Sequence, residues 1–112
     1  MNAKYVQTGD AVDYTPVADV KSGDVVVMND LTGIAKLDIP AGKLGALALT
    51  GVYAATKATG AGSAIPAGTK LYFDAAAKVV TANAAGGANK YFGKSTKDAG
   101  DTDATVEARL AQ

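Results

Sequence analysis

The sequence predicts a small all-β domain, a barrel or a sandwich of about eight short strands with glycine-rich loops. Runs of alternating or β-branched residues are separated by Gly, Pro, Asn and Asp at intervals of roughly 8 to 15 residues, which is typical of such domains. The 112 residues suit one hydrophobic core rather than two. We therefore treat residues 1–112 as a single domain.

Each expected strand ends at a residue that interrupts a ladder or favours a turn. Pro16 ends the second strand because proline has no N–H to donate, and Asn29-Asp30 indicates a tight hairpin. The last strand is the clearest, since its apolar residues alternate with Thr, Glu and Arg. In chain order the expected strands are 4–7, 11–15, 24–29, 31–37, 45–57, 69–74, 78–82, 89–95 and 104–111.

The longest expected strand, 45–57, alternates Leu47, Leu49 and Tyr53 on one face. Gly51 inside it indicates a bulge or a close backbone approach. The alanine-rich stretches 54–64 and 74–77 score well for helix propensity. No apolar stripe with helical spacing supports a long amphipathic helix. We therefore expect a flexible loop at 58–64.

The tetrapeptide Ile-Pro-Ala-Gly occurs twice, at 39–42 and 65–68, and Val20-Lys21-Ser22-Gly23 is a looser third copy. Pro at the second position suits a type I turn, and Gly at the fourth can adopt a positive φ. The residues that a phosphate-binding loop requires after its second glycine are missing. We expect turns that lead into strands, with Gly23, Pro40, Gly42, Pro66 and Gly68 as the structural turn residues.

Composition excludes several classes of function. Eleven basic and eleven acidic residues cancel without forming a basic cluster, so nucleic acid is not an expected partner. With no His and no Cys, most nucleophile and general-base arrangements cannot be built. We expect no catalytic residue, no cofactor and no metal. The carboxylates of Asp98, Asp101 and Asp103 offer calcium ligands, but a solvated turn is the preferred interpretation.

No apolar run approaches the roughly 18 residues of a membrane span, and the start of the chain lacks the apolar segment of a secretion signal. We therefore expect neither a membrane-spanning segment nor a secretion signal. Ala and Gly make up about a third of the chain, so large apolar side chains are few. So thin a core suggests a component of an assembly that self-associates.

Residues 1–15 are a candidate arm that binds a larger assembly or a neighbouring subunit. The segment alternates polar and apolar residues, so it is able to add as a strand to an edge on another molecule. An ordinary first strand in its own sheet is the alternative. The candidate contact residues are Lys4, Tyr5, Val6, Gln7, Val12 and Tyr14.

Five stretches, in order along almost the whole chain, resemble the small capsid decoration, or head cement, proteins of tailed phages. The segment STKDAGDTD departs from the usual family pattern. The five stretches are YVQTGDAVDYTP, SGDVVVMNDLTGIA, IPAGKLGALALTGVYAATK, IPAGTKLYFDAAAKVVT and DATVEARL.

The resemblance implies a protein made in the host cytoplasm that binds the outer face of the expanded head and reinforces it. The implied partners are the major capsid protein lattice and further copies of the chain. Analogy with other decoration proteins favours a trimer, then a dimer, then a monomer that oligomerises only on the shell. The competing class is a receptor- or glycan-binding head-fibre or adhesin module using the loops 58–63 and 84–89. These loops contain almost none of the aromatic and Arg side chains that anchor ligands.

Overall fold

The computed structural model describes residues 2–112 and shows an all-β fold of two antiparallel sheets, as predicted. The order is β1-β4-β3-β2 in the first sheet and β5-β9-β8-β6-β7 in the second. The sheets fit a sandwich and do not close into a barrel. The strands are β1 (Ala11–Tyr14), β2 (Val25–Met28), β3 (Leu31–Ala35), β4 (Gly45–Ala48), β5 (Thr50–Thr56), β6 (Lys70–Asp74), β7 (Val79–Thr81), β8 (Lys90–Ser95) and β9 (Thr105–Ala111).

The expected hairpin at Asn29-Asp30 is confirmed. Met28 pairs with Leu31, so only two residues connect β2 to β3. Asn29 has a φ of 55°, the left-handed conformation that Asn adopts more readily than most residues. Local sequence chemistry therefore determines this connection.

The single strand expected at 45–57 is wrong, because the segment forms two strands in different sheets. β4 ends at Ala48 and β5 begins at Thr50. Leu49 lies at the break, and its N–H donates to the carbonyl of Asp10 at 2.9 Å. Alternation continues through the break, so periodicity alone does not reveal where the chain changes sheets. Gly51 has a φ of 118°, and a Cβ there would lie 3.1 Å from the Tyr53 ring, so a close approach does occur.

The helices that alanine content alone would favour are absent from 54–64 and 74–77, where the chain forms strand, loop and turn. A single 3-10 turn lies at Ala85–Gly87. Side chains along β2 alternate between two apolar clusters, since Val25 and Val27 pack in one and Val26 and Met28 in the other.

The two clusters differ in size. The larger cluster contains these buried residues: Ile34, Ala55, Ile65, Leu71, Phe73, Val80, Phe92, Ala99, Val106, Ala108 and Leu110. The smaller cluster contains only Ala35, Ile39 and Leu47 as buried residues. Val12, Tyr14, Val20, Val26 and Met28 pack against it but remain partly exposed.

The N-terminal half (β1–β4) and the C-terminal half (β5–β9) repeat one topology. The order β1-β4-β3-β2 is the same as β5-β9-β8-β6, and β7 is an addition at the edge of β6. Backbone contacts around the turns also match. Gly23 N–H donates to Ala35 O at 2.6 Å and Gly68 N–H to Ser95 O at 2.8 Å, while the bridge Val20–Ile39 matches the bridge Ile65–Ala99.

Candidate functional site

Exposed large apolar side chains are concentrated in the N-terminal part of the chain. Six are strongly exposed among the described residues, and only Val52 lies beyond residue 44. Scattered exposed apolar residues are normal, but their concentration before residue 45 makes the N-terminal part of the chain the candidate region for protein contacts. The other five are Tyr5, Val6, Val17, Leu37 and Leu44.

Residues 2–9 of the expected arm are exposed and belong to neither sheet. The term arm refers to these residues from here on. The strand expected at Lys4 to Gln7 is wrong, because the described part of the chain supplies no strand that pairs with it. Tyr5 is 79% and Val6 84% exposed, and the Tyr5 hydroxyl lies 3.3 Å from that of Thr8. The segment alternates in sequence but has no strand partner within residues 2–112.

Val12 and Tyr14, the other two candidate arm residues, lie in β1 rather than in the arm. Both side chains are half-buried and pack on the smaller apolar cluster. β1 pairs with β4 along its whole length, with Val12 opposite Leu47. These two residues therefore belong to the fold of the N-terminal half.

A second apolar surface is the Leu37–Leu44 groove, a depression of about 540 Å³. Leu37 and Leu44 are 77% and 72% exposed and line it together with Ile39, Pro40, Ala46 and Ala48. Two exposed leucines in one groove are unusual on a soluble surface and suit burial by a partner. Sequence periodicity did not reveal this groove, because it forms where the β3–β4 connection meets the start of β4.

The five predicted turn residues form strand-entry turns of one geometry. The φ values of Gly23, Gly42 and Gly68 are 93°, 75° and 81°. Pro40 O accepts from Lys43 N–H at 3.0 Å and Pro66 O from Thr69 N–H at 3.3 Å. Each proline is therefore the first residue of its turn and each glycine the third. A positive φ at the third position is typical of a type II turn, so the expected type I geometry is wrong.

The aspartates of the loop before β9 bind backbone groups. Asp98 accepts from Ala67 N–H at 2.7 Å and Asp101 from Ala64 N–H at 2.8 Å, each through Oδ1. Asp103 accepts from Gly100 N–H at 2.8 Å. The loop is therefore attached to the β5–β6 connection by its carboxylates, a structural use of the residues considered above as calcium ligands.

Lys57 is a buried lysine that sequence reasoning missed, since lysine is rarely buried. Its side chain is 3% exposed, and the Nζ atom donates to three backbone carbonyls. These belong to Ala58 at 2.8 Å, Gly100 at 3.0 Å and Asp103 at 3.1 Å. The ammonium group is thereby satisfied without a carboxylate and fastens the end of β5 to the loop before β9.

Asp30 connects the two sheets electrostatically from the tip of the β2–β3 hairpin. Its Oδ1 atom lies 2.8 Å from the Nζ atom of Lys90, at the start of β8. The hydrogen bond and the positive charge of Lys90 lower the pKa of the Asp30 carboxyl. This carboxylate is exposed and remains accessible to a further cation.

The chain matches the family model of the phage cement proteins over residues 6–110, nearly its entire length. The chain belongs to this family. The recognition made from the five sequence stretches is therefore confirmed. Comparison with curated proteins and with solved structures gave no match.

Membership defines the broad role of the molecule. Cement proteins are structural components that associate with the phage capsid, which implies a virion location for this cement protein. Within residues 2–112, no helix is long and apolar enough to cross a membrane. The candidate contact surfaces of this cement protein are thus the arm and the Leu37–Leu44 groove.

Proposed function

We propose that this cement protein binds the outer surface of the expanded phage head and stabilises the lattice of major capsid protein. The observation that carries this proposal is the concentration of exposed apolar side chains in the N-terminal part of a cement protein. Fully burying one leucine contributes about 1.5–3 kcal/mol. The two leucines of the Leu37–Leu44 groove thus supply a modest contact energy, which many copies multiply over a shell.

The balanced charge of the chain supports binding to the outer rather than the inner surface of the head. The eleven basic and eleven acidic residues balance and form no basic cluster. A protein lining the inner surface would face packaged DNA, whose phosphates attract Lys and Arg clusters. A balanced surface instead suits contact with capsid protein.

The test is to mix the purified protein with immature heads and with expanded, undecorated heads. We expect stoichiometric uptake by expanded heads alone and a higher melting temperature of those shells. Equal uptake by both forms, or by neither, contradicts the proposal. A glycan array run in parallel tests the alternative, since glycan binding without head uptake identifies a receptor-binding module.

The contact surface is tested by replacing Leu37 or Leu44 with Asp. Losing the burial of one leucine is expected to weaken head binding by roughly 10- to 100-fold, from about 1.5–3 kcal/mol. Val52→Asp is the matched control, because Val52 is 53% exposed and does not line the groove. Similar weakening by all three variants contradicts the groove assignment, and thermal melting of the free protein verifies that each variant folds.

A further inference from the structure

The shared topology of the two halves reveals an unfilled position in the N-terminal half. In the C-terminal half, β7 covers the outer edge of β6. β2 corresponds to β6 but has a neighbour on one side only, β3. Its outer edge therefore carries N–H and C=O groups that no ladder uses, a template for an additional strand.

Space for a strand exists along this edge. Val25, Val26 and Val27 all line one cavity of about 640 Å³. Successive side chains of a strand point to opposite faces, so three consecutive lining residues indicate that the cavity reaches the edge of β2. The second sheet forms its other side, through residues that include Ala54 and Ala55 of β5 and Val80 of β7. The half-buried Val26 and Met28 pack on the smaller cluster, and of these two only Val26 also lines the cavity.

The C-terminal half also indicates which type of residue an added strand would need beside β2. Aligning Gly23 with Gly68 makes Met28 the counterpart of Phe73. Phe73 pairs with Val80 of β7, and Val80 is buried in the larger cluster. An added strand on β2 needs an apolar residue opposite Met28, pointing into the smaller cluster.

The arm carries the sequence of such a strand. Lys4-Tyr5-Val6-Gln7 has the same pattern as Lys78-Val79-Val80-Thr81, a lysine followed by two apolar residues and one polar residue. This alignment puts Val6 in the role of Val80, opposite Met28. In antiparallel pairing, Lys4 then comes opposite Asp30, a carboxylate whose side chain is 90% exposed. Apolar pattern and charge both match the vacant edge.

The arm cannot reach this position in its own chain. All pairings in the order β1-β4-β3-β2 are antiparallel, so β1 runs opposite to β2. An arm antiparallel to β2 therefore runs parallel to β1. Parallel strands of one sheet require a crossover of about a dozen residues. Only Thr8, Gly9 and Asp10 separate Gln7 from β1.

We propose that the arm of a second copy of this chain adds to β2 as an antiparallel strand, with Val6 opposite Met28 and Lys4 opposite Asp30. Each copy gives one arm and receives one, so a closed ring of two or three chains satisfies every edge. This inference does not depend on head binding, because it concerns contacts between copies in solution.

The absence of native cysteines makes a disulfide test direct. Val6→Cys and Met28→Cys are made in separate chains of different mass, mixed and oxidised. A docked pair has a local concentration near millimolar, so at micromolar protein the mixed disulfide is expected to form at least about tenfold faster than in a control pair. The control is Val17→Cys with Met28→Cys, since Val17 is 99% exposed and outside the arm.

Three results of this test overturn the proposal. They are equal rates in both mixtures, no mixed disulfide, and an intrachain disulfide in the double variant under dilution, which would put the arm on its own chain. Sedimentation supplies a second measurement. Val6→Asp is expected to abolish self-association while Val17→Asp preserves it, and both substitute exposed residues. A monomeric wild-type protein whose arm becomes protected only on heads assigns the arm to the capsid and also overturns the proposal.

Discussion

The side-chain oxygen of Gln112 accepts a hydrogen bond from the backbone N–H of Thr32 at 2.8 Å, across 80 positions of sequence. The Nε2 atom of Gln112 donates to the carbonyls of Tyr91 and Phe92 at 3.0 and 3.1 Å. One amide side chain thus joins β3 of the first sheet to β8 of the second.

Replacing Gln112 with Ala is expected to lower the free energy of unfolding. Thr32 is fully buried, and its N–H would lose its acceptor, which costs about 1–3 kcal/mol for a buried group. Urea denaturation measures the change. Gln7→Ala in the exposed arm is the control, and an equal effect of the two variants would contradict the role of Gln112 as a connection between the sheets.

Lys57→Met is expected to destabilise the protein by about 1–3 kcal/mol, because the three hydrogen bonds that its ammonium group donates to backbone carbonyls would be lost. Methionine preserves most of the side-chain length, so the loss of stability measures the contribution of the ammonium group. Lys43→Met at an exposed turn provides the baseline. Thermal melting that is unchanged in the Lys57 variant would show that the carbonyls find other donors.

Gly42→Val and Gly68→Val are each expected to cost about 1–3 kcal/mol, because a β-branched residue is strained at a positive φ. Nothing lies within 4 Å of a Cβ at either position, so the cost would come from backbone conformation rather than from a clash. Gly9→Val is the matched control, as Gly9 also has open space but no positive φ. Equal melting temperatures for all three would refute the conformational requirement.

Asp30→Asn is expected to remove a small contribution that depends on pH. Lys90 lowers the folded-state pKa of Asp30, so the contribution is present above the unfolded-state pKa of about 4 and is lost as pH falls below it. Stability curves of wild type and variant should therefore differ at neutral pH and converge in acid. High salt should reduce the neutral-pH difference, since both groups are solvent-accessible. A difference that persists in acid would assign the effect to something other than this pair.

Local chemistry made part of the fold predictable. The Asn29-Asp30 hairpin and the strand-entry glycines follow from φ preferences that act within a few residues. The chain break at Leu49 follows from the assembly of two sheets, which alternation does not encode. The burial of Lys57 was not predictable from local sequence, because two of the carbonyls that bind its ammonium group lie more than 40 positions away.

The candidate surfaces were predictable only in part. The alternation at Lys4 to Gln7 predicts a strand, but the described chain offers it no partner and the segment forms none. The Leu37–Leu44 groove brings together residues from three segments, 10–11, 36–40 and 44–50, and leaves no periodic signal. Family membership, by contrast, was predictable from the sequence, because the resemblance extends along nearly its whole length.

The unequal division of buried residues between the two clusters has a mechanical consequence. Ten of the eleven buried residues of the larger cluster lie in the C-terminal half, with Ile34 of β3 as the other, whereas the smaller cluster of the N-terminal half has only three. Amide protons in β8 and β9 should therefore exchange with solvent at rates set by global unfolding. Those in β1 and β2 should exchange through local opening, which requires less free energy than global unfolding. Each copy is stiff at one end and compliant at the other, and the compliant end carries the arm and the groove.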